Sequence, residues 1–167
     1  MSALTDEIVR IATAEIGVTE IDASNSGERV EEYQAATSLK GTGWAWCSAF
    51  VCWVVRDAAT AAGVEFTKTF RRPTTPGAWA LEAWSLAQDS STQTRRDPGS
   101  DILPGDIIVY NFSHCAIAVS KPDRNGRFDT IEGNTSPGDG GSQRDGGGVW
   151  KRRRKTSQVR SRIRFKV

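Results

Sequence analysis

Apolar residues recur at helical spacing along the first half of the chain and at strand spacing along the last third. Near the N-terminus Ile8, Ile11, Ala12 and Ile16 lie three and four residues apart, the period of one helix face. Thr5 is placed to cap that helix, Asp6 and Glu7 fall in its first turn where the dipole favours negative charge, and Gly17 stops it. A polar loop is expected over residues 19–27 and a shorter helix over 28–37. Gly41-Thr42-Gly43 then breaks the chain ahead of its most apolar stretch. From Cys47 onward Phe50, Val51, Val54, Val55, Ala58 and Ala62 repeat at helical spacing, and Gly63 fits the stop. The pattern predicts a largely buried helix with Cys47 at or beside its first residue.

Residues 67–77 are rich in Thr, Arg and Pro and read as a loop. Residues 78–88 read as a modest helix carrying Trp79 and Trp84, and 89–101 as a polar surface loop. After Pro104-Gly105-Asp106 the period changes to two. Residues 107–110, 114–119 and 128–132 read as short strands, with the turn between the last two at 123–126. Residues 138–148 hold six glycines and read as a mobile loop. Residues 149–155 and 161–167 read as a closing strand pair. Helices first and an antiparallel sheet after them is an α+β arrangement, expected as one domain over residues 1–167.

A length of 167 residues suits a single domain with a sizeable core. No stretch approaches the roughly 20 apolar residues that a membrane span needs, and the N-terminus does not read as a secretory signal. Synthesis in the cytoplasm is therefore expected. The three cysteines, at 47, 52 and 115, cannot all pair internally. Cys47 and Cys52 would stand about 140° apart on a helix, poorly placed to bridge. With one histidine and no CxxC pair, a zinc site is not expected. We expect free thiols, no metal and no cofactor.

Charge is unevenly spread. The segment 151–167 holds nine of the 22 basic residues and none of the 20 acidic ones. Such a tail can meet an anionic polymer, or its cations can be the solvated face of the closing strands. An acidic body without a recognisable nucleic-acid motif argues against a nucleic-acid partner.

Candidate chemistry starts at Cys47. A thiol becomes a good nucleophile near neutral pH only when its pKa is lowered, and a helix N-terminus or an adjacent imidazolium does this. The chain's one imidazole is His114, at the start of a strand whose inward face would be His114, Ala116 and Ala118. The two alanines leave room for another group. Glu132 ends the partner strand. If the hairpin tip lies near Asp123, His114 and Glu132 stand opposite each other, about 5 Å apart at Cβ. Asn134 lies two residues on and points the same way, so either side chain could accept the ring proton. A slip of one residue would separate the pair onto opposite faces.

These segments resemble a known family. Gly43-Trp44-Ala45-Trp46-Cys47-Ser48-Ala49-Phe50-Val51 is similar to the nucleophile motif of CHAP domains, papain-like cysteine hydrolases related to the NlpC group. Leu103-Pro104-Gly105-Asp106-Ile107-Ile108-Val109 resembles the turn and strand before the family's histidine. Ser113-His114-Cys115-Ala116-Ile117-Ala118-Val119 is similar to the histidine strand, and Ile131-Glu132-Gly133-Asn134-Thr135-Ser136 to the acidic segment. The resemblance implies a papain-like fold and cleavage of an amide bond in bacterial peptidoglycan. The bond would be N-acetylmuramoyl–L-alanine or one in the stem peptide or cross-bridge. Cys47 would be the nucleophile and His114 its base. Glu132, assisted by Asn134, would orient the ring, with Trp44 and Trp46 lining the substrate groove. Some relatives bind calcium through an acidic loop before the cysteine. Residues 40–46 carry no carboxylate, so no calcium is expected. No separate wall-binding domain is expected either, and the basic segment 151–167 could hold anionic wall polymers in its place. A phage endolysin or an antibacterial lytic effector, acting on the wall after release or delivery, fits this reading. A cysteine peptidase acting on proteins and an inactive wall-binding module are the alternatives.

Overall fold

A computed structural model describes residues 2–68, 70–88, 90–138, 141–142 and 145–167. Four helices come first: α1 (Ala3–Ala14), α2 (Glu28–Ala35), α3 (Cys47–Ala61) and α4 (Ala80–Leu86). Six strands follow: β1 (Thr92–Arg96), β2 (Ile107–Tyr110), β3 (Cys115–Ala118), β4 (Arg127–Thr135), β5 (Gly148–Lys155) and β6 (Val159–Phe165). The strands make one antiparallel sheet in the order β1-β6-β2-β3-β4-β5. This is the expected α+β arrangement.

The helix expected from Cys47 onward is the centre of the molecule. Phe50, Val51, Val54, Val55, Ala58 and Ala59 are all buried. Each of its larger apolar side chains contributes roughly 1.5–3 kcal/mol through burial. Leu4, Ile8 and Ala12 of α1 and Val30 and Tyr33 of α2 pack in the same core, which continues into Ile107, Val109, Ile117 and Ile131 of the sheet. A second, smaller cluster of Ile102, Ile108, Tyr110, Ala116, Ala118, Phe128 and Val159 covers the other face. That is why β2 and β3 are buried on both sides. Among the described residues no helix is long and apolar enough to cross a membrane.

Several expectations need correction. Ser2, not Thr5, caps α1: the Ser2 hydroxyl accepts from the Thr5 N–H at 3.4 Å. Thr5 is already helical and donates its own hydroxyl back to the Ser2 carbonyl at 2.9 Å. Residues 92–96 form an edge strand, not a loop, paired along its length with β6. Its sequence Thr-Gln-Thr-Arg-Arg has no apolar alternation to read, because an edge strand can be held by its ladder alone. The closing strands are not a pair. β5 and β6 are separated by β2, β3 and β4, and a short 3-10 turn at Thr156–Gln158 carries the chain between them. The glycine-rich loop expected at 138–148 includes positions 139, 140, 143 and 144, which lie outside the described residues. Its end is fixed in place: the Gly146 N–H donates to the Asn134 carbonyl at 3.0 Å, and the Glu20 N–H to the Gly147 carbonyl at 2.8 Å.

Gly133 governs how closely the sheet approaches α3. A Cβ built there would lie 2.6 Å from Phe50 Cβ and 2.9 Å from Trp46 Cζ3. Neither group can swing away, since both are buried at the start of α3. Gly133→Ala is expected to push β4 off the helix and destabilise the fold by about 1–3 kcal/mol, measured by urea denaturation. An unchanged midpoint would show that the contact yields freely.

Candidate active site

Cys47 is the first residue of α3. Trp46, at the cap position, makes no side-chain capping bond, and the first turn carries no acidic residue. The first-turn N–H groups therefore lack intrahelical acceptors, and the positive end of the dipole meets the Cys47 thiol. The residue is 6% exposed. Gln34 anchors the approach, donating through Nε2 to the carbonyls of Asn25 and Trp44 at 3.0 Å each.

His114 stands one residue before β3 with its ring buried beside Tyr110 and Phe112, at centroid distances of 5.8 and 6.1 Å. Its Nε2 lies 2.8 Å from Glu132 Oε2. Nδ1, also buried, has no hydrogen-bond partner among the described residues. It is the ring atom left for the Cys47 sulfur, which lies near enough for the two groups to control each other's ionisation.

The register is not the expected one, yet the pair forms. β3 and β4 pair Ile117 with Ile131 and Ala118 with Thr130, which sets Glu132 level with Ala116 rather than His114. A shift of two residues keeps Glu132 on the same face. The small Ala116 side chain lets the carboxylate reach diagonally to the ring.

Glu132 is fully buried and fully satisfied. Oε1 accepts from the Tyr110 hydroxyl at 2.8 Å, the Thr130 hydroxyl at 2.7 Å and Arg154 Nε at 2.8 Å. Oε2 accepts from Arg154 Nη2 at 2.6 Å besides facing His114. Burial alone would raise its pKa, but the Arg154 fork and His114 outweigh that and hold the carboxyl well below its usual range.

Ionisation of the Cys–His pair follows from these neighbours. Against the opposing cost of burial, the neighbouring Cys115 thiol and the His114 charge hold Cys47 well below the usual thiol range. Burial pushes Cys115 up, so it stays a protonated donor. The anion rests on Cys47 because that sulfur has both the helix terminus and the imidazole. Burial alone would lower His114, but Cys47 and Glu132 push it up to about 9. Both shifts favour the thiolate–imidazolium form of the pair. Cys52 is pushed up to about 12 by burial.

The other expected site residues are placed differently. Trp46 is a core residue, not a groove wall: it is fully buried, stacks on Tyr33 at 5.6 Å and donates Nε1 to Glu20 at 3.2 Å. Trp44 is half-buried and lines a hollow of about 390 Å³ with Asn25, Gly43, Ala45, Ser113 and Asp145. This hollow flanks both Cys47 and His114 in sequence. Asn134 sits in the left-handed region (φ 55°) at the irregularity between Glu132 and Thr135. Its buried amide has no partner among the described residues, so Glu132 alone bonds the ring. The basic segment is largely engaged in ion pairs. Arg154 pairs with Glu132, Arg160 with Glu82, Arg162 with Asp101, and Arg164 with Asp101 and Asp106.

Sequence reasoning missed Arg154, Tyr110, Thr130 and Cys115. One signal was present for Arg154. In a strand over 149–155, residues 150, 152 and 154 share a face, and pairing with β4 puts that face level with Phe128, Thr130 and Glu132.

No protein-family model and no curated protein matches the sequence. Among solved structures the fold is similar to the crystal structure of a wild-type endolysin, LysIME-EF1, with a TM-score of 0.55 and 18% sequence identity. The likeness covers 98% of this chain and 64% of that one, so the chain spans under two thirds of that protein's length. At this identity the likeness is one of fold.

Proposed function

We propose that this chain is a papain-like cysteine hydrolase of the CHAP type, and that it cleaves an amide bond in bacterial peptidoglycan. The observation that carries the reading is the His114 ring, held on Nε2 by a fully buried carboxylate, with its other nitrogen left unpartnered among the described residues and Cys47 close enough to be coupled to it in ionisation. The similarity of its fold to an endolysin supports the choice of substrate.

In this mechanism the Cys47 thiolate attacks the amide carbonyl carbon. The carbonyl oxygen takes up negative charge, and the Cys47 backbone N–H, free of any intrahelical acceptor, stabilises it. His114 then gives its Nδ1 proton to the amide nitrogen. The C–N bond breaks, leaving a thioester on Cys47 and a free amine. His114, now neutral, takes a proton from water as that water attacks the thioester. Collapse of this second intermediate returns the thiolate and releases a carboxylic acid. Glu132 keeps the ring oriented and stabilises its charged form throughout. The hollow beside Trp44 and Ser113 receives the substrate.

Digestion of purified sacculi of defined chemistry, with mass analysis of the products, tests the reading. The expected result is release of fragments carrying one kind of new amine and one new carboxyl group, with the glycan chains uncut. A new amine on L-alanine would identify the muramoyl amide, and any other new amine an endopeptidase. Undigested sacculi, or new reducing sugar ends, would overturn the reading. Cleavage of protein substrates only would favour a peptidase on the same fold.

A further inference from the structure

We propose that Arg154 is a positioning residue for the Cys47–His114 pair: its guanidinium clamps both oxygens of Glu132, and Glu132 in turn holds the ring. This rests on the reading of Cys47 as the nucleophile.

A carboxylate fully removed from water tends to protonate unless a counter-charge is fixed beside it. Tyr110 and Thr130 are neutral donors to Glu132, and His114 carries a proton that the reaction moves. Arg154 brings the one charge on Glu132 that chemistry at the site does not remove, since a guanidinium does not lose its proton in a protein. Its planar fork meets one oxygen through Nε at 2.8 Å and the other through Nη2 at 2.6 Å. That contact fixes the plane of the carboxylate as well as its charge. The position of Oε2, and so the angle of the imidazole, follows from it.

The clamp is itself held. Arg154 is buried, and its guanidinium lies over the rings of Tyr110 and Phe112, at 5.2 and 5.6 Å. Those two rings are parallel, 5.0 Å apart, and His114 stacks beside the same pair. One aromatic stack therefore registers both the clamp and the imidazole. A lysine ammonium at this position would supply charge without the fork.

The test compares wild type with Arg154→Lys and Arg154→Met. Arg153→Gln serves as control: it is the next residue, exposed, and paired instead with Asp123 and Asp129. His114 is the only histidine in the chain, so its ring gives one NMR titration. Thiolate absorbance, read against Cys47→Ala, follows the sulfur. In Arg154→Lys the His114 midpoint should fall by about one pH unit and the thiolate should form at correspondingly higher pH. On soluble wall fragments kcat at neutral pH should fall about tenfold with KM unchanged. Arg154→Met removes the charge as well as the fork and should lower kcat further. Wild-type titrations in folded Arg154→Lys, or equal shifts in Arg153→Gln, would overturn the proposal. If Arg154→Met does not fold, Arg154→Lys decides alone. If no wall preparation is cleaved even by wild type, the hydrolase reading fails, but the two titrations still decide the role of Arg154.

Discussion

Cys47→Ala is expected to abolish wall cleavage, lowering kcat by about 10³-fold or more, while the fold stays intact. On the proposed mechanism the loss is large because the thiolate, imidazole and carboxylate would act as a unit, and without the sulfur the other two have nothing to activate. The structural cost is small. One buried atom is removed at a position already 6% exposed, worth about 1 kcal/mol, so circular dichroism and the melting temperature should stay close to wild type. Adding His114→Ala should lower the rate little further. A Cys47→Ala protein that still digests sacculi at the wild-type rate would remove this residue from the chemistry. The same pair sets the pH profile. Cys47 lies well below the ordinary thiol range and His114 at about 9. Both shifts widen the pH range over which the thiolate–imidazolium form exists. It is lost below the thiol's lowered pKa by protonation of sulfur, and above about pH 9 as the imidazolium deprotonates. A bell-shaped kcat/KM curve with its alkaline limb near pH 9 is expected. An alkaline limb near pH 6.5, the ordinary histidine value, would show that His114 does not feel the thiolate.

How much of this site could be read from the sequence depends on which residues were local and which were not. Cys47 at a helix start was legible because a run of apolar residues at helical spacing begins there and a Gly-Thr-Gly break precedes it. β2 was legible to the residue because it is a continuous apolar run after a Pro-Gly-Asp turn. The facing of Glu132 toward His114 was legible although the register was wrong by two, since side-chain parity, not pairing, decides the face. β1 was illegible: its ladder with β6 joins residues 92–96 to 161–165, and no local pattern carries a contact of that separation. Trp46 was misjudged because motif proximity to the cysteine says nothing of which way an indole turns. Here it turns into the core against Tyr33. The basic segment misled for a related reason. Lys and Arg in sequence look like a solvated charge, but alternate residues of β5 point inward, where Arg154 meets a carboxylate 22 residues earlier in the chain.

That inward arginine makes Glu132→Ala the most damaging change to stability expected anywhere in the site. Truncation would strip the acceptor from Arg154, Tyr110, Thr130 and His114 at once, all of them buried. Breaking a buried ion pair by removing one partner costs about 3–5 kcal/mol, because the surviving charge is left without water or counter-ion. For a domain whose total stability is about 5–15 kcal/mol, such a loss should be plain in urea denaturation. Glu132→Gln should recover only part of it, since one side of an amide presents donors to a guanidinium that has only donors. Glu132→Leu combined with Arg154→Met should be more stable than Glu132→Leu alone, because the orphaned charge is gone. The wild-type protein should show the same interaction through pH. The folded-state pKa of Glu132 is depressed, so its stabilisation is fully present above the unfolded value of about 4.3. It is lost progressively as pH falls below that toward the folded pKa. The raised His114 value acts in the opposite sense. Its contribution is complete below about pH 6.5 and fades as pH rises through about 9. Stability should therefore be greatest between about pH 4.5 and 6.5 as far as these two groups are concerned. Wild-type stability in Glu132→Ala at pH 7, or an acid limb of unfolding unchanged by Glu132→Gln, would mean that the buried carboxylate does not hold this end of the sheet together.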